Sequence, residues 1–305
     1  MKILFMGTPN FAAVVLSALV KSEHEIVGVV TQPDTALKHG KTEPSAVKRV
    51  AAQFGLKVFQ PNKIRDEIDA LKQFGADIAV TAAYGQILTQ AVLDVFDRGV
   101  INVHASLLPL YRGASPISSV IADGGEKTGV TIMQTECGID TGDILSFVET
   151  PIGKDETAGE LTARLADLGA ALLIDTLDKF DSITPVKQDN EKATHCRMIK
   201  KSAHYIDFDR DCREVVDQIR ALSPLPCAKT VINGETYKIY RAKAAENVGS
   251  GKAGEIVECG DRLIISCATG AIEILTIQAP SKRALEISEF LRGRKLPIGA
   301  VCAKP

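Results

Sequence analysis

The amino-acid sequence predicts an α/β fold in which an open, mainly parallel sheet flanked by helices is followed by a small β-barrel. Before about residue 180, short apolar runs alternate with longer segments of helical spacing, which is typical of a parallel sheet with right-handed crossovers. After about residue 225, several short apolar runs are separated by turn residues, which indicates a small barrel. The length of 305 residues is sufficient for two domains.

The N-terminal part begins with a strand at residues 2–6, followed by a turn at Gly7. Thr8 is expected to cap a first helix, with Pro9 at its first position. Only Gly7 of the G-x-G-x-x-G dinucleotide fingerprint is present, so we reject a nicotinamide or flavin oxidoreductase. The further elements are expected, in order, as helix 11–20, strand 24–31, polar loop 35–43, helix 44–54, strand 56–59, helix 64–74, strand 77–83, helix 86–96, a strand from Val100, helix 114–122, strands 129–135 and 144–148, and a long amphipathic helix over 156–179.

The C-terminal part is separated by a segment without periodicity at residues 185–202, which is rich in Lys and Arg. We interpret it as a linker and predict domains at 1–184 and 206–305, joined by residues 185–205. Asn233-Gly234 predicts a tight hairpin turn. The expected elements of this domain are helix 211–222, strands 228–232, 236–240, 253–258, 262–267 and 271–277, and a last helix at 286–291.

Composition excludes several classes of protein. No apolar run reaches the length of a membrane span, and residues 1–6 lead into a turn rather than a signal-peptide cleavage site, so we expect a cytoplasmic protein. Seven cysteines without a C-x-x-C pair indicate reduced thiols and no zinc site. The net charge of −2 divides into −7 for residues 1–186 and +5 for residues 187–305. The positive part can attract phosphates, although an ordinary solvated surface explains it equally well.

The residues of greatest chemical interest are Asn102 and His104, which lie two apart in the strand predicted from Val100. Side chains two apart in a strand point to the same face, and ligands bind at the carboxyl edge of a parallel sheet. An Asn amide can donate to an oxyanion, and a His imidazole can donate or transfer a proton near neutral pH. An isolated N-x-H motif, however, more often marks a buried pair satisfied by the backbone.

The surrounding sequence favours the functional interpretation. Asn102-Val-His-Ala-Ser-Leu-Leu-Pro109 is followed by Tyr111-Arg-Gly113 and Pro116, and then by Gly138-Ile-Asp-Thr-Gly-Asp143. This combination resembles the formyltransferases that use 10-formyltetrahydrofolate, above all those that act on methionyl-tRNA. The resemblance covers essentially the whole chain and is strongest before Asp143.

The resemblance implies a Rossmann-like sheet domain and a C-terminal oligonucleotide-binding (OB)-like barrel that binds tRNA. It implies transfer of a formyl group from 10-formyltetrahydrofolate to the amino group of methionyl-initiator tRNA, without a metal ion, and we expect a monomer. The family's catalytic residues fall on Asn102, His104 and Asp140. Its folate contacts fall on Tyr84, Gly85, Ser106, Leu107, Leu108 and Pro109. Contacts with tRNA are expected at Lys38, His39 and Lys41 of the loop 35–43, and at Lys200 and Lys201 of the linker.

Three alternatives stay open. The chain could formylate a small amine, such as glycinamide ribonucleotide or an amino sugar, or it could hydrolyse 10-formyltetrahydrofolate. The resemblance implies that the first of these substrates needs about the catalytic domain alone, so the C-terminal part favours tRNA. The third alternative is a non-catalytic RNA-binding protein, against which intact Asn102, His104 and Asp140 argue. Whether Asp140 is a base or only orients His104 is open, as is the role of Asp143. Because the three candidates precede residue 186, we expect folate binding to survive removal of residues 206–305.

Overall fold

The structure is a computed structural model that describes residues 1–36, 42–246 and 251–304. The chain forms two compact units rather than two consecutive segments. Unit 1 comprises Met1–Gly113, Thr128–Thr150 and Thr162–Cys196. Unit 2 comprises Ala114–Lys127, Pro151–Leu161 and the chain from Arg197 onward.

The part of the chain before Arg197 contains eleven strands and six α-helices among its described residues. The strands are β1 (Lys2–Gly7), β2 (Glu25–Val30), β3 (Thr35–Ala36), β4 (Thr42–Glu43), β5 (Val58–Phe59), β6 (Ile78–Ala82), β7 (Val100–His104), β8 (Arg112–Gly113), β9 (Lys127–Gln134), β10 (Ile144–Pro151) and β11 (His195–Cys196). The helices are α1 (Asn10–Leu19), α2 (Ala46–Gln53), α3 (Ile68–Lys72), α4 (Gln90–Leu93), α5 (Pro116–Ala122) and α6 (Ala158–Asp178).

Unit 1 is organised around a seven-stranded sheet with the order β10-β9-β7-β6-β1-β2-β5. Strands β5, β2, β1, β6 and β7 are parallel, and β9 is antiparallel to β7. The predicted open, mainly parallel sheet is therefore confirmed. The chain proceeds from β1 outward to β2 and β5, then returns to β6 on the other side of β1. In open α/β sheets such a reversal leaves a crevice at the carboxyl ends of the strands, and ligands bind there.

Three local expectations were wrong. The predicted helix 64–74 is split into a 3₁₀ turn at Ile64–Asp66 and α3, and the predicted helix 86–96 is reduced to α4. The first predicted helix breaks at Glu67, whose φ of −120° and ψ of +30° are not helical. The side chain of Gln86 accepts from the Ile64 N–H at 2.8 Å and donates to the Pro61 carbonyl at 3.2 Å, so it ties the segment before α4 to this 3₁₀ turn. Thr8 does not cap the first helix, because its hydroxyl donates to the Tyr84 carbonyl and Pro9 takes the cap position.

Unit 2 contains a curled antiparallel sheet with the order β12-β13-β16-β15-β14, to which β17 adds at β16. The C-terminal elements are α7 (Cys212–Leu222), β12 (Ala228–Ile232), β13 (Glu235–Ala244), β14 (Ile256–Cys259), β15 (Leu263–Ser266), β16 (Ala271–Gln278), β17 (Ala284–Glu286) and α8 (Ile287–Gly293). Helices α7 and α8 share one apolar core with strands β12 to β16. Asn233 and Gly234 have φ of +49° and +79°, which is the predicted hairpin turn. The sheet is the OB-like half-barrel expected from the sequence.

The predicted linker 185–205 is divided between the units, since residues up to Cys196 belong to unit 1 and those from Arg197 to unit 2. Strand β11 pairs in parallel with β8, which draws this segment onto the loop that follows β7. Within the three described ranges, we find no helix whose length and apolar character would let it cross a membrane.

Candidate active site

Strand β7 carries Asn102 and His104, and its neighbour β6 carries Thr81 directly opposite Asn102. The Thr81 hydroxyl donates to Asn102 Oδ1 at 2.9 Å. Since this contact engages the amide oxygen, Asn102 Nδ2 is left as the donor end of the side chain. Strand β7 therefore presents an oriented amide donor two residues before His104.

His104 is buried, and both of its ring nitrogens face polar groups. Nε2 lies 3.1 Å from the carbonyl oxygen of Tyr111. Nδ1 lies 3.6 Å from Asp140 Oδ2, which is an ion-pair distance but too long for a hydrogen bond. A carbonyl oxygen can only accept, so the ring proton of a neutral His104 resides on Nε2 and the lone pair on Nδ1 faces the carboxylate.

Asp140 lies in the loop between β9 and β10, which the backbone closes through a hydrogen bond from the Gln134 N–H to the Asp143 carbonyl at 2.9 Å. Its φ of +52° is a left-handed conformation that few residues other than glycine adopt. Its Oδ2 accepts from the backbone N–H of Gly113 at 2.7 Å. Asp140 is thus fixed between His104 and the end of the loop that follows β7.

The loop that follows β7, residues 105–113, is held by hydrogen bonds with Thr194, which directly precedes β11. The Thr194 hydroxyl accepts from the Tyr111 N–H at 2.8 Å, and the Thr194 carbonyl accepts from the Arg112 N–H at 2.9 Å. Gly113 has a φ of +119°, and a Cβ atom there would lie only 2.2 Å from the Cys196 carbonyl oxygen. Only glycine permits this close approach of β8 and β11.

The predicted folate contacts in this loop differ in their accessibility. Ser106 is fully buried, and its hydroxyl donates to the Leu110 carbonyl at 2.6 Å, while Leu108 is also buried. Leu107 and Pro109 are half-buried, and Leu110 is exposed. The Thr131 hydroxyl fixes the loop backbone by donating to the Ser106 carbonyl at 2.7 Å. The loop therefore offers apolar side chains and backbone groups to a ligand, while the Ser106 hydroxyl serves the loop itself.

Tyr84 and Gly85 follow β6. Tyr84 is 4% exposed and packs in an apolar cluster, and burial raises the pKa of its hydroxyl well above the usual value. Its carbonyl accepts from the Thr8 hydroxyl at 2.9 Å and the Gln32 amide at 3.3 Å. Gly85 is exposed with a φ of +89°. A ligand at this position meets backbone rather than the tyrosine ring.

The loop that carries Asp140 also contacts the start of α4. Cys137 Sγ lies 3.3 Å from Gln90 Oε1, which brings the Asp140 loop against the start of α4. Each segment carries a markedly exposed isoleucine, Ile87 at 80% just before α4 and Ile139 at 66% in the loop. The two segments that meet at Cys137 and Gln90 therefore each expose one aliphatic side chain to solvent.

The predicted tRNA-binding residues are only partly covered by the structure, because Lys38, His39 and Lys41 lie outside the described residues. Lys200 and Lys201 are exposed in unit 2, just before and at the start of a 3₁₀ turn at Lys201–His204. Lys200 lines a cavity of about 520 Å³ within this unit. Three more cationic residues line the same cavity, Arg197, Arg210 and Lys304.

Comparison with protein families identifies the fold and the class of protein. The model described as formyl transferase matches residues 1–177, and the model described as formyl transferase, C-terminal domain, matches residues 198–295. The chain belongs to the formyl transferase family. A methionyl-tRNA formyltransferase from Citrifermentans bemidjiense is 42% identical, over 100% of this chain and 97% of that relative. One from Novosphingobium aromaticivorans is 44% identical, over 98% of this chain and 99% of the relative.

Solved structures of formyl transferases have the same fold. An N-formyltransferase from Helicobacter canadensis, solved with folinic acid and dTDP-3-aminofucose, superposes with a TM-score of 0.69 at 22% identity. The match covers 92% of this chain and 100% of that one. At this identity, the likeness concerns the fold alone.

Three residues that shape this candidate site were not proposed as site residues from the sequence: Thr81, Gly113 and Gln188. Gln188 Nε2 donates to the carbonyl oxygens of Asp140 and Gly142. Gly113 belongs to the Tyr111-Arg-Gly113 motif quoted above, so a need for glycine at this position could have been suspected from the sequence. Thr81 and Gln188 have no local signal, because their partners are distant in sequence and the segment around Gln188 has no periodicity.

Proposed function

We propose that this formyl transferase moves the formyl group of 10-formyltetrahydrofolate to the amino group of methionyl-initiator tRNA. The observation that carries the proposal is the 42% and 44% identity, over nearly the full length of both partners, to relatives named methionyl-tRNA formyltransferase. The ion-pair distance between His104 and Asp140, beside the strand that carries Asn102, supports acyl transfer as the chemistry.

Asn102 acts as the oxyanion donor. Its Nδ2 group donates to the formyl oxygen, on which negative charge develops as the substrate amine attacks the formyl carbon. The Thr81 hydroxyl, 2.9 Å from Asn102 Oδ1, supports this role because it orients the amide before the reaction. An oriented donor does not have to reorganise as charge develops, which is why such groups contribute strongly to rate.

His104 carries the proton. As the amine adds, His104 Nδ1 takes up the proton that the nitrogen loses, and it gives a proton to the folate nitrogen whose bond to the formyl carbon breaks. Asp140, 3.6 Å from Nδ1, stabilises the imidazolium that forms, while the Tyr111 carbonyl fixes the ring orientation through Nε2. We assign Asp140 this electrostatic role, and not that of the base, because its Oδ2 already accepts from the Gly113 N–H.

The folate co-substrate is assigned to the surface formed by the loops around Gly85, Leu107 and Pro109, together with Ile87 and Ile139. The exposure of the two isoleucines and the contact between their segments support an apolar surface for the pterin ring. Leu108 contributes by packing beneath the loop, and Tyr84 and Ser106 contribute through their backbone.

The tRNA is assigned to the cationic residues of loop 35–43, namely Lys38, His39 and Lys41, and to Lys200 and Lys201. The +5 charge of residues 187–305 supports a surface that attracts phosphates. We further propose that the chain acts as a monomer in the cytoplasm, since one chain supplies Asn102, His104 and Asp140, and all seven cysteines are free thiols.

The decisive experiment incubates the purified chain with labelled 10-formyltetrahydrofolate and four acceptors in parallel. These are methionyl-initiator tRNA, methionyl-elongator tRNA, glycinamide ribonucleotide and a dTDP-amino sugar. We expect N-formylmethionine from the initiator tRNA alone. Formylation of a small amine without formylation of the tRNA, or release of formate without any acceptor, would overturn the proposal. Light scattering in the same buffer tests the monomer, and cell fractionation tests the location.

A further inference from the structure

A single buried side chain stands out in the segment that precedes β11. Every residue from 184 to 192 is exposed except Gln188, which is 9% exposed. Glutamine side chains are mostly exposed in folded proteins, and a buried one is normally hydrogen-bonded. Here the anchor is an amide, so hydrogen bonds rather than hydrophobic burial hold it in place.

The Gln188 amide has all four of its hydrogen-bonding positions engaged. Nε2 donates to the carbonyl oxygen of Asp140 at 2.9 Å and to that of Gly142 at 2.6 Å. Oε1 accepts from Arg112 Nε at 3.0 Å and from Arg112 Nη2 at 2.7 Å. A Gln side chain has two donor hydrogens and two acceptor lone pairs, so this environment satisfies it completely.

The partners also fix which way the amide faces. A guanidinium can only donate and a carbonyl oxygen can only accept, so a flipped amide would break all four hydrogen bonds. Arg112 is itself buried, at 4% exposure, and its Nη2 also donates to Asn190 Oδ1 at 2.8 Å. Arg112 is therefore held in place, and it holds the Gln188 amide with its donors toward the Asp140 loop.

We propose that Gln188, oriented by Arg112, is a positioning residue that keeps Asp140 facing His104; this inference rests on the proposed function. Asp140 has a φ of +52°, a conformation that costs of the order of 1–3 kcal/mol and persists only where the surroundings enforce it. Gln188 bonds the carbonyl groups on both sides of this turn, at Asp140 and at Gly142. Without it, these two hydrogen bonds are absent and the loop relaxes away from the geometry that places the carboxylate 3.6 Å from His104 Nδ1.

The test begins with Gln188→Met, which keeps the length of the side chain and removes all four hydrogen bonds. We expect kcat for formylation to fall roughly 10- to 100-fold, as for a misplacement of about 1 Å, while KM for folate and for tRNA changes by less than about twofold. Gln73→Met is the matched control, because Gln73 is exposed at the end of α3. The control should retain the parent kcat.

Combining Gln188→Met with Asp140→Ala distinguishes a positioning role of Gln188 from a purely structural one. If Gln188 acts through Asp140, adding Gln188→Met to Asp140→Ala should change kcat by less than about twofold, although it still lowers the melting temperature. Gln188→Glu is informative in the same way, because it keeps the pair with Arg112 but turns a carboxylate oxygen toward two carbonyl oxygens. It should reduce kcat at least as much as Gln188→Met.

The outcomes distinguish the two levels of inference. If the parent chain does not formylate methionyl-tRNA, the proposed function fails, and this inference fails with it. If the parent is active but both Gln188 variants keep kcat within about twofold, or if the effects of Gln188→Met and Asp140→Ala multiply, only the positioning role is overturned. If the Gln188 variants do not fold, Asn190→Ala serves as the second test, because Asn190 is exposed and is the other acceptor of Arg112. We expect this variant to lower kcat about threefold at unchanged KM, and an unchanged kcat overturns the inference.

Discussion

Replacing Gly113 with alanine tests the close approach that joins the active-site loop to β11. The new Cβ would lie 2.2 Å from the Cys196 carbonyl oxygen, whereas real Cβ contacts essentially never fall below 3.0 Å. The atom that it meets belongs to the backbone, so β8 or β11 must move by about 1 Å. Gly113 also donates its N–H to Asp140 Oδ2 at 2.7 Å, so the displacement reaches the carboxylate that faces His104.

The magnitude follows from these contacts. A side chain at φ +119° adds strain of about 1–3 kcal/mol, and weakening a hydrogen bond to a carboxylate costs about 1.5–3 kcal/mol. We therefore expect unit 1 to be destabilised by about 3–5 kcal/mol, which lowers its melting temperature by roughly 10 °C. A displacement of about 1 Å at Asp140 should lower kcat on the order of 100-fold. Thermal denaturation followed by fluorescence, and steady-state formylation of methionyl-tRNA, measure the two effects.

Gly99→Ala is the matched control. Gly99 also has a positive φ, of +77°, but a Cβ there would meet no atom of the described residues within 4 Å. This substitution isolates the conformational cost, about 1 kcal/mol, and should leave kcat at the parent level. If Gly113→Ala melts and turns over like Gly99→Ala, the close approach of β8 and β11 does not constrain the site, and its assignment as a constraint is refuted.

Four further predictions concern the site, the tRNA surface and the fold. Asn102→Ala should lower single-turnover formylation about 10²- to 10³-fold, because the oxyanion donor is removed. Lys200→Ala with Lys201→Ala should raise KM for tRNA without changing KM for folate. The slope of the logarithm of tRNA affinity against the logarithm of salt concentration should decrease by about one unit for each phosphate that the chain no longer neutralises. Hydrogen bonds from the backbone N–H and hydroxyl of Thr157 hold the pKa of Glu160 below the usual 4.5. The ionised Glu160 therefore contributes stability above that pH, and this contribution is lost as the pH falls through the lowered pKa. Glu160→Gln should make the free energy of unfolding depend less on pH in acid-denaturation curves. A chain cut after residue 205 should bind a hydrophobic dye, melt at a lower temperature than the full chain and bind folate more weakly, the last contrary to the expectation from sequence.

The features that the sequence predicts well are those encoded locally. The apolar run of β7 with alternating Asn102 and His104, the 3.6-residue period of α6 and the Asn233-Gly234 turn each depend on neighbours within a few residues. The predicted helix at 156–179 is accordingly found at Ala158–Asp178. The recognised motif added Asp140, which no periodicity could have joined to β7.

The features that it does not predict depend on contacts distant in sequence. Strands β8 and β11 have only two residues each and pair across more than 80 positions, so neither has a pattern of its own. Gln188 is polar and lies among exposed residues, and such a segment has the composition of a linker whether or not one side chain is buried. In the same way, the Gln86 side chain ties two predicted helical segments together, a contact that local propensity does not describe.

The domain boundary illustrates the same limit on a larger scale. Helix α5 and residues 151–161 lie before the predicted boundary at residue 184, yet both belong to unit 2. Helix α5 packs against α7. The Gly159 N–H donates to the Ser223 carbonyl at 2.9 Å, and Arg220 Nη1 lies 3.4 Å from the carbonyl oxygen of Glu156. An amphipathic helix has the same sequence pattern whichever core it packs on, so the pattern could not assign α5.

Cutting the chain after residue 205 removes α7 and the half-barrel but leaves the segments that pack on them. Because α5 packs on α7, we expect its buried residues Val120 and Ile121 to lose part of their cover, and burial of each side chain is worth about 2 kcal/mol. The retained carbonyl of Glu156 and N–H of Gly159 would be left without the partners that the C-terminal part supplies. Helix α5 leads into β9, which pairs with β7 at Asn102 and His104, and residues 151–161 lead into the rest of α6. We therefore expect folate binding by the first 205 residues to depend on a C-terminal part that contains none of the proposed catalytic residues.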